Sequence, residues 1–247
     1  MTPTRQRHLL FALLAAGLLL VIVATIIALT RPQRDIQIAA PADPSLPPGG
    51  FTFFDVDRAT VLDRSLRKKL ADTLGSDAIA HATPIDLTIV SPHFLRDHLP
   101  VLDTLNQRLN PAMGGRREHD TTRLTYHRAE RHNMPFKYIE LVFSNRNGRP
   151  LYFIINPTED FADSIATLAS KYGPPRIIQT DNGDAPVRIW EQSGDILVGT
   201  SFTRRNGRLA QELRIYFVDN LKQLVASEDQ ALKQQESSSR KAGERAF

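Results

Sequence analysis

No cysteine occurs anywhere in the 247 residues. That removes thiol nucleophiles from consideration, and it suits an oxidising compartment, where a stray thiol is a liability. Other absences narrow the chemistry further. There is no G-x-S-x-G, no Ser at a strand-to-helix elbow, no P-loop and no G-x-G-x-x-G, which disfavours the hydrolases and nucleotide-binding enzymes built on those motifs. None of the nine Asn residues lies in an N-x-S/T sequon, which suits a bacterial periplasm over a eukaryotic lumen. A field of one sign is missing too, despite a net charge of +4. Arg5, Arg7, Arg31 and Arg34 are the only charged side chains in the first 34 residues, so 27 of the 31 Lys and Arg remain from Asp35 onward, against 27 Asp and Glu. A neutral region with interspersed signs has nothing to hold a polyanion, and nucleic-acid binding is disfavoured.

What is present is one long apolar run. Leu9 to Thr30 (LLFALLAAGLLLVIVATIIALT) contains no charged residue, and about 20 apolar residues suffice to cross a bilayer as a helix. A cleaved signal has a shorter core and a small-residue cleavage site directly after it. Here the nearest such triplet, Ala40-Pro41-Ala42, lies ten residues beyond Thr30, so the run predicts an uncleaved transmembrane helix. The flanking Lys and Arg tie at two each; only the terminal amine and His8 favour an N-terminus inside. The expected topology is a single pass through a bacterial inner membrane, with residues 1–8 cytoplasmic and the C-terminal domain periplasmic. Ala12, Ala16, Ala24 and Ala28 share one i, i+4 row, broken by Leu20, on which two copies could pair as a homodimer. Ala is common in any such span.

Residues 31–50 carry five Pro and end in Gly-Gly, the composition of a semi-rigid linker. Residues 51–113 read as a mixed α/β segment. Strands are expected at 51–56 and 85–90, with a helix between them capped by Thr60 and striped by Leu62, Leu66, Leu70 and Leu74. A helical pair divided at Pro100 buries Phe94, Leu95, Leu99, Leu102, Leu105 and Leu109. Residues 121–236 change to an antiparallel α+β pattern. Strands are expected at 122–129, 136–143, 150–156, 175–180, 186–191, 195–203 and 208–218, with helices at 158–172 and from Asp219 to about Gln234. The polar stretch 237–247 reads as a disordered tail. Both main hairpins carry Arg-Asn-Gly-Arg, and Asn-Gly supplies the positive φ such turns need. The expected fold class is therefore α+β: one N-terminal transmembrane helix, then a soluble domain of mainly antiparallel sheet with flanking helices, in two β-β-β-α units that a pseudo-twofold would relate.

The run KYGPP (171–175), the lone Trp190 in the strands that follow and the helix VDNLKQLVASE resemble a KYGxP/Trp module of uncharacterised single-pass bacterial envelope proteins. The resemblance covers most of the soluble part and implies no activity.

Three constellations could carry chemistry. Asp55-Val-Asp57 after an apolar stretch is similar to the first motif of haloacid-dehalogenase-type phosphatases, but Ala59 stands where that family has Thr or Val, and the partner motifs are missing. A strand end with a helix cap explains the pair more simply. Six of the seven His lie between His81 and His132, yet none has zinc-ligand spacing, so no metal site is expected. Arg146, Arg149, Arg204, Arg205 and Arg208 on the hairpin tips would form a partner- or anion-binding patch if the two units pack side by side; exposed tips are more often merely solvated. No cofactor and no catalytic residue is expected. The sequence thus points to a membrane-anchored extracytoplasmic interaction or scaffold domain with an envelope protein as partner. A small-ligand or pH-sensing periplasmic domain is the alternative, and a metal-dependent hydrolase or phosphatase comes third.

Overall fold

A computed structural model describes residues 50–111, 117–127, 134–158, 161–180, 185–203, 207 and 209–246. Its elements in chain order are α1 (Arg64–Leu74), β1 (Ala78–Thr83), α2 (Pro92–His98), α3 (Pro100–Leu109), β2 (His119–His127), β3 (Phe136–Ser144), β4 (Pro150–Pro157), α4 (Phe161–Tyr172), β5 (Arg176–Ile178), β6 (Val187–Gln192), β7 (Asp195–Thr203), β8 (Leu209–Tyr216) and α5 (Val218–Ala246). All eight strands form one sheet in the order β1-β2-β3-β4-β8-β7-β6-β5, and every neighbouring pair is antiparallel.

Both faces of this sheet are covered, because successive side chains point to opposite sides. On β4, Tyr152 and Ile154 join one core with Leu102, Leu105, Leu109, Leu221, Leu224 and Val225 from α3 and α5. Phe153 and Ile155 join the other, with Leu70 and Leu74 of α1 and Phe161 of α4. Aromatic rings hold this second core together; Phe153 and Phe217 meet edge to face at 5.0 Å. Gly199 on β7 leaves room for α4, since a Cβ there would lie 3.0 Å from Ile165 Cδ1 and 3.3 Å from the Phe161 ring.

The two halves of the chain share a strand plan, β1-β2-β3-β4-α4 and β5-β6-β7-β8-α5, and meet where β4 pairs with β8, Tyr152 opposite Tyr216 and Ile155 opposite Leu213. Each half therefore has one strand more than the three expected. Their helices pack on opposite faces, α4 on one core and α5 on the other. A dyad perpendicular to a sheet keeps each face on itself, so no single twofold relates the whole units. The segment 51–113 is not a separate layer: its β1 pairs with β2, and its helices cover both faces.

Several expectations need correction. Residues 51–56 form a tight turn in place of a strand: Phe53 and Val56 exchange backbone hydrogen bonds of 3.0 and 2.9 Å across Phe54 (φ +48) and Asp55 (φ +61). The first helix is capped by Asp63, whose carboxylate accepts from the Leu66 N–H at 2.7 Å; Thr60 serves a turn at Asp57. Residues 85–90 bury Ile85, Leu87 and Ile89 but join no strand. Side chains satisfy their backbone: Asn106 Oδ1 accepts from the Leu87 N–H (3.0 Å), and the Ile85, Leu87 and Thr88 carbonyls accept from Asn110, Tyr216 and Arg214. That arrangement meets the demand that buried peptide groups be paired without requiring a ladder. The last helix, expected to end near Gln234, continues to Ala246; Phe247 lies outside the described residues.

The transmembrane part of the expected fold class is also corrected. Among the described residues no helix is long and apolar enough to cross a membrane. α5 has the length, 29 residues, but Lys233, Glu236 and Arg240 make its outer half polar. The run 9–30, with its row of Ala12, Ala16, Ala24 and Ala28, and the adjoining 1–8 and 31–49 lie outside the described residues. The fold class is α+β, an eight-stranded antiparallel sheet with helices on both faces, and the described residues do not support a single-pass membrane protein or a signal anchor.

Gly199→Val is expected to drive α4 off the sheet and to lower unfolding free energy by about 1–3 kcal/mol, the usual cost of overpacking. Urea denaturation followed by Trp190 fluorescence measures it, and an unchanged midpoint would contradict the close approach of α4.

Candidate functional site

A buried ion pair fixes the beginning of the described chain. Arg58 and Asp195 have side chains only 4% and 1% exposed, with Nη2 and Oδ1 2.7 Å apart and Nε donating to Oδ2 at 2.9 Å. Arg58 also donates to the Ser193 carbonyl, and Asp219 at the start of α5 lies 3.7 Å away. Asn220, itself buried, donates to the carbonyls of Arg58 (2.9 Å) and Pro150 (2.8 Å). Gly50 (φ +126) is required here, because a Cβ would meet Asp195 Oδ2 at 2.7 Å. Burial pushes the Asp195 carboxyl up to about 6, against the pull of Arg58.

The KYGPP run and the lone Trp come together beside this clamp. Trp190 Nε1 donates to the Gly173 carbonyl at 2.8 Å, and Gln192 Nε2 to that of Tyr172 at 3.4 Å. Phe51 packs edge-on against Tyr172 at 4.9 Å. Burial raises the Tyr172 hydroxyl, but the Thr52 hydroxyl and N–H, with the Lys171 ammonium nearby, bring it below its ordinary value. Tyr172, Pro174, Arg176 and Trp190 line a cleft of about 310 Å³. Two more of its lining contacts are internal: Trp190 and Gln192 each donate to a backbone carbonyl, and Arg176 pairs with Glu191 at 2.9 Å.

Of the five hairpin-tip arginines, two fall within the described residues. Arg146 is exposed and Arg149 is buried; Arg204, Arg205 and Arg208 lie outside the described residues. Because β4 and β8 run antiparallel, the Asn145–Arg149 turn sits at one end of the sheet, and the Thr203–Leu209 pair that closes β7 and β8 sits at the other. Asp55 is exposed and paired with Lys69. Asp57 spends one oxygen on Ala59 N–H, Thr60 N–H and Thr60 Oγ1 at 3.0, 2.9 and 2.7 Å, which is turn chemistry. Histidines disperse as well: His81 touches Thr122, His98 touches Phe94, His127 touches Tyr138, and buried His119 sits 3.0 Å from both Glu228 oxygens. Among the described residues no three His, Asp or Glu side chains converge to hold a metal.

The two sheet edges differ most. β5 has three residues, follows Pro174-Pro175, which lack N–H donors, and carries the charged Arg176; these features blunt an edge. β1 has six residues (AIAHAT) with no charge and no Pro, and Ala78 to Ala82 are exposed on both faces. A single irregularity interrupts it, a register shift between His81 and Thr83 at Ala82 (φ +53). Sequence reasoning missed this strand because half of it is Ala, and only Ile79 and Thr83 are β-branched. No protein-family model matches the chain, and neither a curated protein nor a solved structure is significantly similar to it.

Two expectations follow from the clamp. Arg58→Ala strands a buried carboxylate and should cost about 3–5 kcal/mol, measured by urea denaturation. The folded Asp195 value, about 6, exceeds its ordinary 3.8. Its contribution is therefore complete below 3.8 and is lost as pH rises through about 6. Stability measured between those limits should fall with pH more steeply in the wild type than in Asp195→Asn; parallel curves would refute the shift.

Proposed function

We propose that this chain is an interaction domain, whose activity is to bind protein by accepting an extended segment along the outer edge of β1. One observation carries the reading: the sheet defends its β5 edge with Pro, charge and brevity but leaves β1 uncharged and open on both faces. An undefended edge is a template for strand addition, in which main-chain hydrogen bonds supply affinity and alternate side chains supply selectivity. The dispersed His and the turn-bound Asp57 support binding over catalysis. The lack of Cys supports a setting outside the cytoplasm.

A photo-crosslinking residue at His81, introduced in the cells that make the protein, should give a discrete protein adduct, while the same residue at Ile177 on β5 should give none. Ile79→Lys, a charge of the kind that guards natural edges, should abolish the His81 adduct. No adduct at His81, or equal adducts at both edges, would overturn the reading.

A further inference from the structure

Resting on that reading of β1, we infer that the segment it accepts is the β1 strand of a second copy of this chain, so that two eight-stranded sheets join edge to edge about a twofold axis. Register fixes how this works. Ile79 pairs with Leu124 and His81 with Thr122, so both lie on the face of the aromatic core; Ala78 and Ala80 pair with Thr125 and Arg123 on the opposite face.

A dyad perpendicular to a sheet keeps faces intact, so it must pass through a residue, never between two. Placed at Ala80, it sets Ala80 opposite the partner's Ala80 and Ile79 opposite the partner's His81, while Ala82, at φ +53, stands outside the regular ladder. Every opposed pair then joins residues that are compatible in size, and no like charges face each other, the arrangement that cross-strand pairing favours. The irregularity at Ala82 falls at the end of this pairing, where it stops the two strands from sliding further.

Local charge does not oppose the contact: β1 (AIAHAT) carries no Asp, Glu, Lys or Arg. Isologous twofold contact is also the commonest form of self-association. Ile79, 39% exposed, is the one large apolar side chain of the strand, and the dyad covers it against the partner's His81 ring.

The absence of cysteine makes the test clean. In the full chain, Ala80→Cys introduces a single thiol that can form a disulfide only with another molecule. Cβ atoms of directly opposed residues lie about 4.5–5.5 Å apart, close to disulfide reach. Under mild oxidation Ala80→Cys should give covalent dimer at least about tenfold faster than Ile177→Cys on the other edge. Independently, the wild-type chain at micromolar concentration should have dimer mass by light scattering. Ala80→Glu should be monomeric, because two glutamates would oppose each other across the axis, while within each copy the new carboxylate faces Arg123 and leaves the fold intact by circular dichroism. Equal cross-linking rates, a monomeric wild type, or a dimer that survives Ala80→Glu would overturn the proposal. A monomeric wild type with a His81 adduct of some other protein would overturn the second copy alone; loss of every His81 adduct would overturn the interaction reading with it.

Discussion

Four opposed residue pairs, Tyr152 with Tyr216 through Ile155 with Leu213, join the two halves of the sheet. Without that seam there would be two four-stranded pieces, each with an additional open edge. With it, β4 and β8 become central strands, and they show it: Tyr152, Phe153, Ile155, Ile215 and Tyr216 are all buried. The seam also sets the direction of everything outside it. By pairing the last strands of the two halves head to tail, it sends the β3–β4 and β7–β8 turns to opposite ends of the sheet.

Polar groups inside this frame act as locators. The Arg58–Asp195 pair, the Asn220 amide and the side chains that satisfy residues 85–90 each tie a non-repetitive segment to the sheet or to α5. Such contacts add modest net stability, but removing one partner is expensive. They specify where irregular chain must lie, which apolar contacts alone would leave loose. His119 and Glu228 do the same between β2 and α5.

Much of the architecture was legible in the sequence, and the failures have physical causes. Apolar stripes at helical spacing placed α1 through α4 within a few residues, and Asn147-Gly148 marked the β3–β4 turn, with Gly148 at φ +68. Residues 85–90 alternate as a strand does, yet alternation reports only that one side is buried; which partner satisfies the backbone is decided by tertiary structure. AIAHAT lacks a pattern because both of its faces are exposed, so no periodicity marks it. The outer half of α5 reads as polar tail, although Ala, Lys, Gln, Glu and Arg favour helix locally. In the site, Trp190 meets the KYGPP run through the Gly173 carbonyl. Which end of the sheet a hairpin occupies was not legible, because it depends on a strand pairing between residues far apart in sequence.

The position of Arg58 has a mechanical side. Tension arriving along the chain from ahead of Gly50 reaches Arg58 before it reaches any strand. There it is shared at once with the β6–β7 turn through Asp195 and with the root of α5 through Asn220. A pull on the leading segment would therefore load the middle of the sheet and its longest helix together, not peel strands from an edge one at a time. β1, at the far side of the sheet, would stay out of the load path, so whatever occupies that edge would be insulated from strain on the chain's beginning.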